Sequence, residues 1–347
     1  MIVIHPSKFF RVEVVVGAAV LAACLLTLVG AAKPAEAAFP GANGKIVFAS
    51  ERTSGDGVDS PEGDSEIFTM NPDGSELTQL THNDTDDEDP VYSADGRQIA
   101  FVRWREWDPE DFQWTTDIYT MSADGRNETR VTSTELSNEF SPSWSPDGNY
   151  IAFKLFDPDT NSANIYKTSA NGEKYVRLTK ESGATEYYSP AWSPGGKRIA
   201  FQRYVPLDSK PWYRTDVVLI KPRPVGRTNR LVKLVGRPGE HNGRPSWSPD
   251  GKQMLFSSWH NSDGNRVGGI YTIKRDGTNR TRLIQDVNTS GPAWSPDGTK
   301  IAFERNLSTG ENAGNEIFVM NKDGSGQKRL TFDASEDYSL DWQPIVP

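Results

Sequence analysis

Cysteine is almost absent: Cys24 is the only one in 347 residues, and it lies in an apolar N-terminal segment. No disulfide can staple the chain, so stability has to come from a core and from closure of the chain on itself. Histidine is scarce as well. His82, His241 and His260 are the only ones beyond that segment, and they sit far apart without the close spacing of a metal-binding pair. No G-x-S-x-G stretch occurs, which excludes the nucleophile elbow of an α/β-hydrolase. Positive charge is in deficit, with 38 Lys and Arg against 47 Asp and Glu and a formal net charge of −9. That balance argues against nucleic acid or an anionic lipid surface as the main partner.

Long apolar runs are missing too, except near the start. Lys8 and Arg11 precede a largely apolar run at residues 12–30, and Ala35-Glu36-Ala37 then supplies the small-x-small pattern of a signal-peptidase site. The expected division is residues 1–38 as a signal peptide and residues 39–347 as one exported domain, in the periplasm, in the cell envelope or secreted, with no membrane span in the mature chain. Two alternatives would tether it. Leu21-Ala22-Ala23-Cys24 has the form of a lipobox, which would place lipid on Cys24, and the apolar run approaches the roughly 20 residues that cross a bilayer. The leader carries three basic and two acidic residues, so its removal takes the net charge from −9 to −10.

What the chain has in plenty is a repeat. S-P-S-W-S-P-D-G-N-Y-I-A-F at residues 141–153 recurs from Asp89, Ser189, Arg244 and Gly291, with a second half at residues 44–48 and a first half around Trp342. In each copy Pro, Asp and Gly suit a tight turn, and the Ile-Ala-Phe that follows is a short apolar β-former, so each copy reads as a hairpin. A second hairpin follows, as in D-I-Y-T-M-S-A-D-G from Asp117, usually closing on an R-L-T-like strand such as Arg130-Val131-Thr132. The copy from Asp216 departs, with a longer basic turn that includes Lys221, Arg223, Arg227, Arg230 and Lys233. The anchors Tyr92, Trp144, Trp192, Trp247, Trp294 and Trp342 lie 47 to 55 residues apart. Four short strands at that period predict an all-β, six-bladed β-propeller of four-stranded antiparallel blades. The split repeat predicts ring closure by pairing of the C-terminal strand with the N-terminal strands.

The W-S-P-D-G repeats resemble those of the TolB propeller domain, over essentially residues 39–347. The chain departs from that pattern in one respect: TolB carries a separate domain before its propeller, whereas here only the expected signal and two or three residues precede the first strand, so a stand-alone TolB-like propeller is expected. The repeat is specific for fold and says little about function, since similar blades occur in peptidases and lyases.

Strand direction places the turns within hairpins on one face and the longer, more varied connections on the other, where binding residues usually sit. One sector there is acidic. Asp86, Asp87, Glu88 and Asp89 are candidate ligands for Ca²⁺, which takes oxygen donors, although an acidic run can equally be only solvated. The next sector is aromatic: Trp104, Trp107 and Trp114, with Trp212, Trp259 and His260 further round, suit a sugar or a peptide, or else pin down their own loops. The residue five before each anchor, namely Asp87, Glu139, Tyr187, Asn242, Thr289 and Asp337, is expected at the channel mouth. No cofactor is required by this reading. The expected function is a monomeric, non-catalytic binding or scaffold protein for an envelope protein or glycan. The alternative is a metal-dependent, polysaccharide lyase-like enzyme built on the propeller.

Overall fold

The computed structural model describes residues 41–347 except 56, 61–62, 106–114, 135–137, 158–161, 181–184, 209–212, 224–230, 308–313, 334 and 347. The leader, Trp107, Trp114, Trp212, Arg227 and Arg230 therefore lie outside the described residues. Every assigned element is a β-strand. No helix among the described residues is long and apolar enough to cross a membrane.

The hairpins form where the repeat places them. In the turn after Trp144, the Ser145 hydroxyl donates to Asp147 Oδ1 (2.6 Å) and its oxygen accepts the Tyr150 amide (2.9 Å), while Asp147 Oδ1 accepts the Asn149 amide (3.1 Å). Gly148 supplies the left-handed φ of 69° that the turn needs. The second hairpin is locked by its closing threonine: the Thr81, Thr132, Thr179 and Thr331 hydroxyls each accept the amide of the isoleucine opposite, at 2.7–3.0 Å.

The expectation of six separate four-stranded blades is corrected by the hydrogen-bond topology. Four sheets are separate and four-stranded, and the remaining eight strands, between Asp87 and Arg177, form one continuous sheet. The physical cause is a parallel bridge between Thr116 and Asn138. It is reinforced by the Thr116 amide donating to Asn138 Oδ1 (3.1 Å) and the Thr116 hydroxyl donating to the Glu139 carbonyl (2.7 Å). The propeller is thus four stand-alone blades plus one double sheet.

The core lies between sheets, where the repeated Ile-Ala-Phe strands face the anchor of the next repeat. Val47, Ala49 and Ile67 of the first sheet pack on Tyr92, Ile99, Phe101 and Met121 of the next. Closure falls to the last strand, Asp337–Ile345, which pairs antiparallel with Ala42–Ser50, Trp342 opposite Ile46 and Asp337 opposite Ser50. Trp342 is fully buried there. Trp342→Ala should lower stability by about 3–5 kcal/mol in denaturant unfolding, and a chain ending at Glu336 should lose its cooperative transition. An unchanged unfolding midpoint in the truncated chain would remove the last strand from the closure.

Candidate functional site

Inner strands line an axial cavity of about 450 Å³, contributed by all the repeats. Its geometry follows from one backbone device. Asp89, Ser141, Ser189, Arg244, Gly291 and Ser339 occupy equivalent positions, three before each anchor, and all have φ between 47° and 54°. At each the ladder slips, as between Glu88 and Val91 or between Tyr188 and Ala191. A β-bulge of this kind kinks the strand and re-aims its side chains, here toward the axis.

Charge in the lumen comes from Asp89, Lys154, Arg244, Glu304 and Asp341. Glu304 is reached by three donors: Arg244 Nη1 (2.6 Å), the Ser290 hydroxyl (2.7 Å) and the Ser339 amide (2.8 Å). Gly291 makes room for it, since a Cβ there would stand 2.4 Å from Glu304 Oε1. Arg244 is held above the ordinary guanidinium range, chiefly by Glu304. Asp89 accepts the Ser141 amide and hydroxyl, both at 3.0 Å, and the Ser339 hydroxyl at 2.7 Å. Asp341 accepts the Tyr92 amide (2.9 Å), and burial pushes its carboxyl up to about 7. Lys154 is different. Its ammonium lies 4.2 Å from the Tyr188 ring centroid and 5.1 Å from that of Phe140, and no described carboxylate forms an ion pair with it. Burial lowers its pKa, with Glu186 and Asp89 opposing.

The six residues expected at the channel mouth are all at most 4 % exposed, and none lines the cavity. Asp87 receives two bonds of 2.7 Å from Arg103, and Asp337 receives one of 2.7 Å from Arg52. Asn242 donates to the Thr215 carbonyl (2.8 Å), the Thr289 hydroxyl donates to the Asp286 carbonyl (2.7 Å), and the Tyr187 ring meets Phe201 edge-on at 5.1 Å. Glu139 accepts the Thr134 hydroxyl. All six are held within the framework by these contacts, and the residues that line this cavity lie two further along. The bulge adds one residue to the strand between these positions and the anchor, which changes the face that each position presents. The sequence carries no plain signal for this left-handed position, since the proline that follows it in five of the six copies favours extended backbone in the residue before it.

The acidic sector does not converge either. Asp86 accepts the Ser65 amide (2.9 Å), Asp87 pairs with Arg103, Glu88 accepts the Tyr338 hydroxyl (3.1 Å) and Asp89 faces the lumen. Among the described residues, no three metal-capable side chains group together. Of the aromatic sector, Trp104 packs edge-on against Phe140 at 6.1 Å, while Trp259 stacks on His241 at 3.8 Å and lies 4.0 Å from the Arg266 guanidinium. His260, partly buried, pairs with Glu240 across two strands.

Comparison with known proteins bears on this arrangement. The TolB beta propeller domain family matches residues 187–345. The propeller is TolB-like. An uncharacterized protein of Agrobacterium fabrum is 29% identical over 161 residues, which are 44% of this chain and 53% of that relative, so the match spans about half the relative's length. TolB from Acinetobacter baumannii superposes with a TM-score of 0.64 at 20% identity, covering 87% of this TolB-like chain and 67% of that one. An oligogalacturonate lyase in complex with manganese gives 0.54 at 14% identity, over 78% of this chain and 72% of that one. At these identities the structural likeness is one of fold.

Glu139 offers a pH test of the framework. Its carboxyl is pushed from 4.5 up to about 8 by burial and by Asp117, against the Thr134 hydroxyl and the cations Arg105 and Arg130. The folded chain therefore keeps a proton that the unfolded chain releases, and this group's contribution to stability falls as pH rises between 4.5 and about 8. Glu139→Gln stays neutral throughout. Its stability relative to the parent should be higher near pH 8 than near pH 5, by on the order of 1 kcal/mol or more; a pH-independent difference would contradict the assignment.

Proposed function

We propose that this protein is an exported, non-catalytic binding or scaffold module that recognises an envelope protein or glycan and takes one of its groups into the axial lumen. Lys154 carries the reading. The lumen carboxylates Asp89 and Glu304 are each met by at least two donors, whereas Lys154 has aromatic neighbours and no described counter-carboxylate. A cation held in a confined space by ring faces is available to an anionic or hydrogen-bond-accepting group of a ligand. The fused strands supply preorganisation, so little freedom is lost when the group enters. Export rests on the leader-like segment at residues 1–38.

Four buried carboxylates outside the lumen are committed to arginine partners, which supports a framework role for them over turnover. Asp87, Asp337, Asp216 and Glu316 are fully buried, and each has an arginine partner: Arg103, Arg52, Arg203 and Arg329 respectively. A metal-dependent carbohydrate-active enzyme would need a ligand cluster that the described residues do not assemble.

The test is cross-linking mass spectrometry on the tagged protein in its own cells, alongside Lys154→Glu. The parent should yield a recurrent protein or glycan cross-linked near the lumen, and the variant should yield about tenfold less at an unchanged melting temperature. Equal recovery from both proteins would defeat the proposal.

A further inference from the structure

The face that bears the short turns holds a second concavity, of about 680 Å³, between two neighbouring sheets. Its lining comes from three turns. Lys197 and Arg198 sit in the turn before the strand Ile199–Pro206, Lys221 and Arg223 follow the strand Tyr213–Ile220, and Arg275 follows the strand Asn265–Lys274. Five cations thus converge on one hollow in a protein whose formal net charge is −9. Among the described lining residues the only carboxylate is Asp276, and it is turned to its own loop, accepting the Thr278 amide (2.9 Å) and hydroxyl (2.7 Å). Among the described residues no ion pair joins Lys197, Arg198, Lys221 or Arg275 to a carboxylate.

The floor is apolar. Leu219 and Trp247 are buried beneath the cations, with Pro222 beside them. Trp247 also borders the lumen, so the hollow lies beside the axial cavity and is lined by other charged residues. Lys197, Lys221, Arg223 and Arg275 are exposed, and Arg198 is half-buried.

We infer that this hollow is a binding site for a phosphoryl-bearing ligand. Like charges brought together in a concavity focus a positive potential, and the field is strongest where low-dielectric walls keep water thin. A monovalent group would neutralise little of it, whereas a phosphoryl group offers several acceptor oxygens to arginine forks and lysine point charges at once. An apolar floor with polar walls further suits a ligand whose phosphate is carried on a less polar body, such as a phosphorylated saccharide or a lipid headgroup.

The experiment is titration calorimetry of the purified protein with pyrophosphate at low ionic strength, and co-sedimentation with vesicles of phosphatidylglycerol or of phosphatidylcholine. Two variants are compared with the parent: Lys221→Glu with Arg275→Glu in one chain, and Lys322→Glu, an equal type of charge reversal at an exposed turn outside the hollow. The proposal expects salt-sensitive pyrophosphate binding that the double variant weakens by about tenfold or more and Lys322→Glu leaves in place. Retention on phosphatidylglycerol vesicles that follows the same order assigns the phosphoryl group to a headgroup; pyrophosphate binding without retention assigns it to a soluble ligand. Failure to bind either probe, or equal binding by the parent and the double variant at matched melting temperatures, overturns it.

Discussion

The pairing of Asp337–Ile345 with Ala42–Ser50 is the constraint on which the rest depends, because it is the one contact that makes an open row of sheets into a closed one without a disulfide. It is more than a backbone ladder. Arg52, just past the first strand, reaches Asp337 at 2.7 Å and Asp333 at 3.1 Å, and lies over the rings of Phe48 and Phe68. The last strand is also tied to the following sheet, where Asp341 receives the Tyr92 amide and Gln343 donates to the Gly96 carbonyl (2.9 Å). One strand therefore holds two neighbours at once.

Closure has a consequence at the axis. Inner strands drawn together must each bend, and they do so at the same position by adopting a left-handed residue, at a cost of order 1 kcal/mol where the residue is not glycine. Hydrogen bonds between repeats offset that strain: Ser141 binds Asp89, and Ser339 binds both Asp89 and Glu304. The same bonds occupy Asp89 and Glu304, and among the described lumen residues Lys154 is the cation with no carboxylate ion pair. Structural necessity and the candidate binding group are thus linked through one ring of bulges.

Much of the fold was legible in the sequence, because turn chemistry and strand period leave little choice. Ser145-Pro146-Asp147-Gly148 specifies a tight turn whichever protein it occurs in, and the half repeats at residues 44–48 and around Trp342 point to each other. The fusion of eight strands into one sheet was not legible, since it rests on the side chain of Asn138 and a single bridge to Thr116. The lumen-lining position, two residues after the one expected at the channel mouth, was not legible. A regular strand would have shown Asp87 and Asp89 to the same face, but the bulge leaves Asp87 buried on Arg103 and Asp89 in the lumen. The basic turn from Lys221 was visible as charge alone; that Lys197, Arg198 and Arg275 share its hollow depends on how two repeats meet in space.

The most direct test of the closure account is native-state hydrogen exchange resolved by residue along Ala42–Ser50 and Asp337–Ile345. If the pairing governs the whole propeller, the paired amides of Ile46, Val47 and Trp342 should exchange together, only through global unfolding, and as slowly as those of Phe101 or Phe303 in the core strands. Exchange of the Asp337–Ile345 amides at much lower free energy than the rest would contradict it, showing a last strand that detaches while the other sheets remain intact.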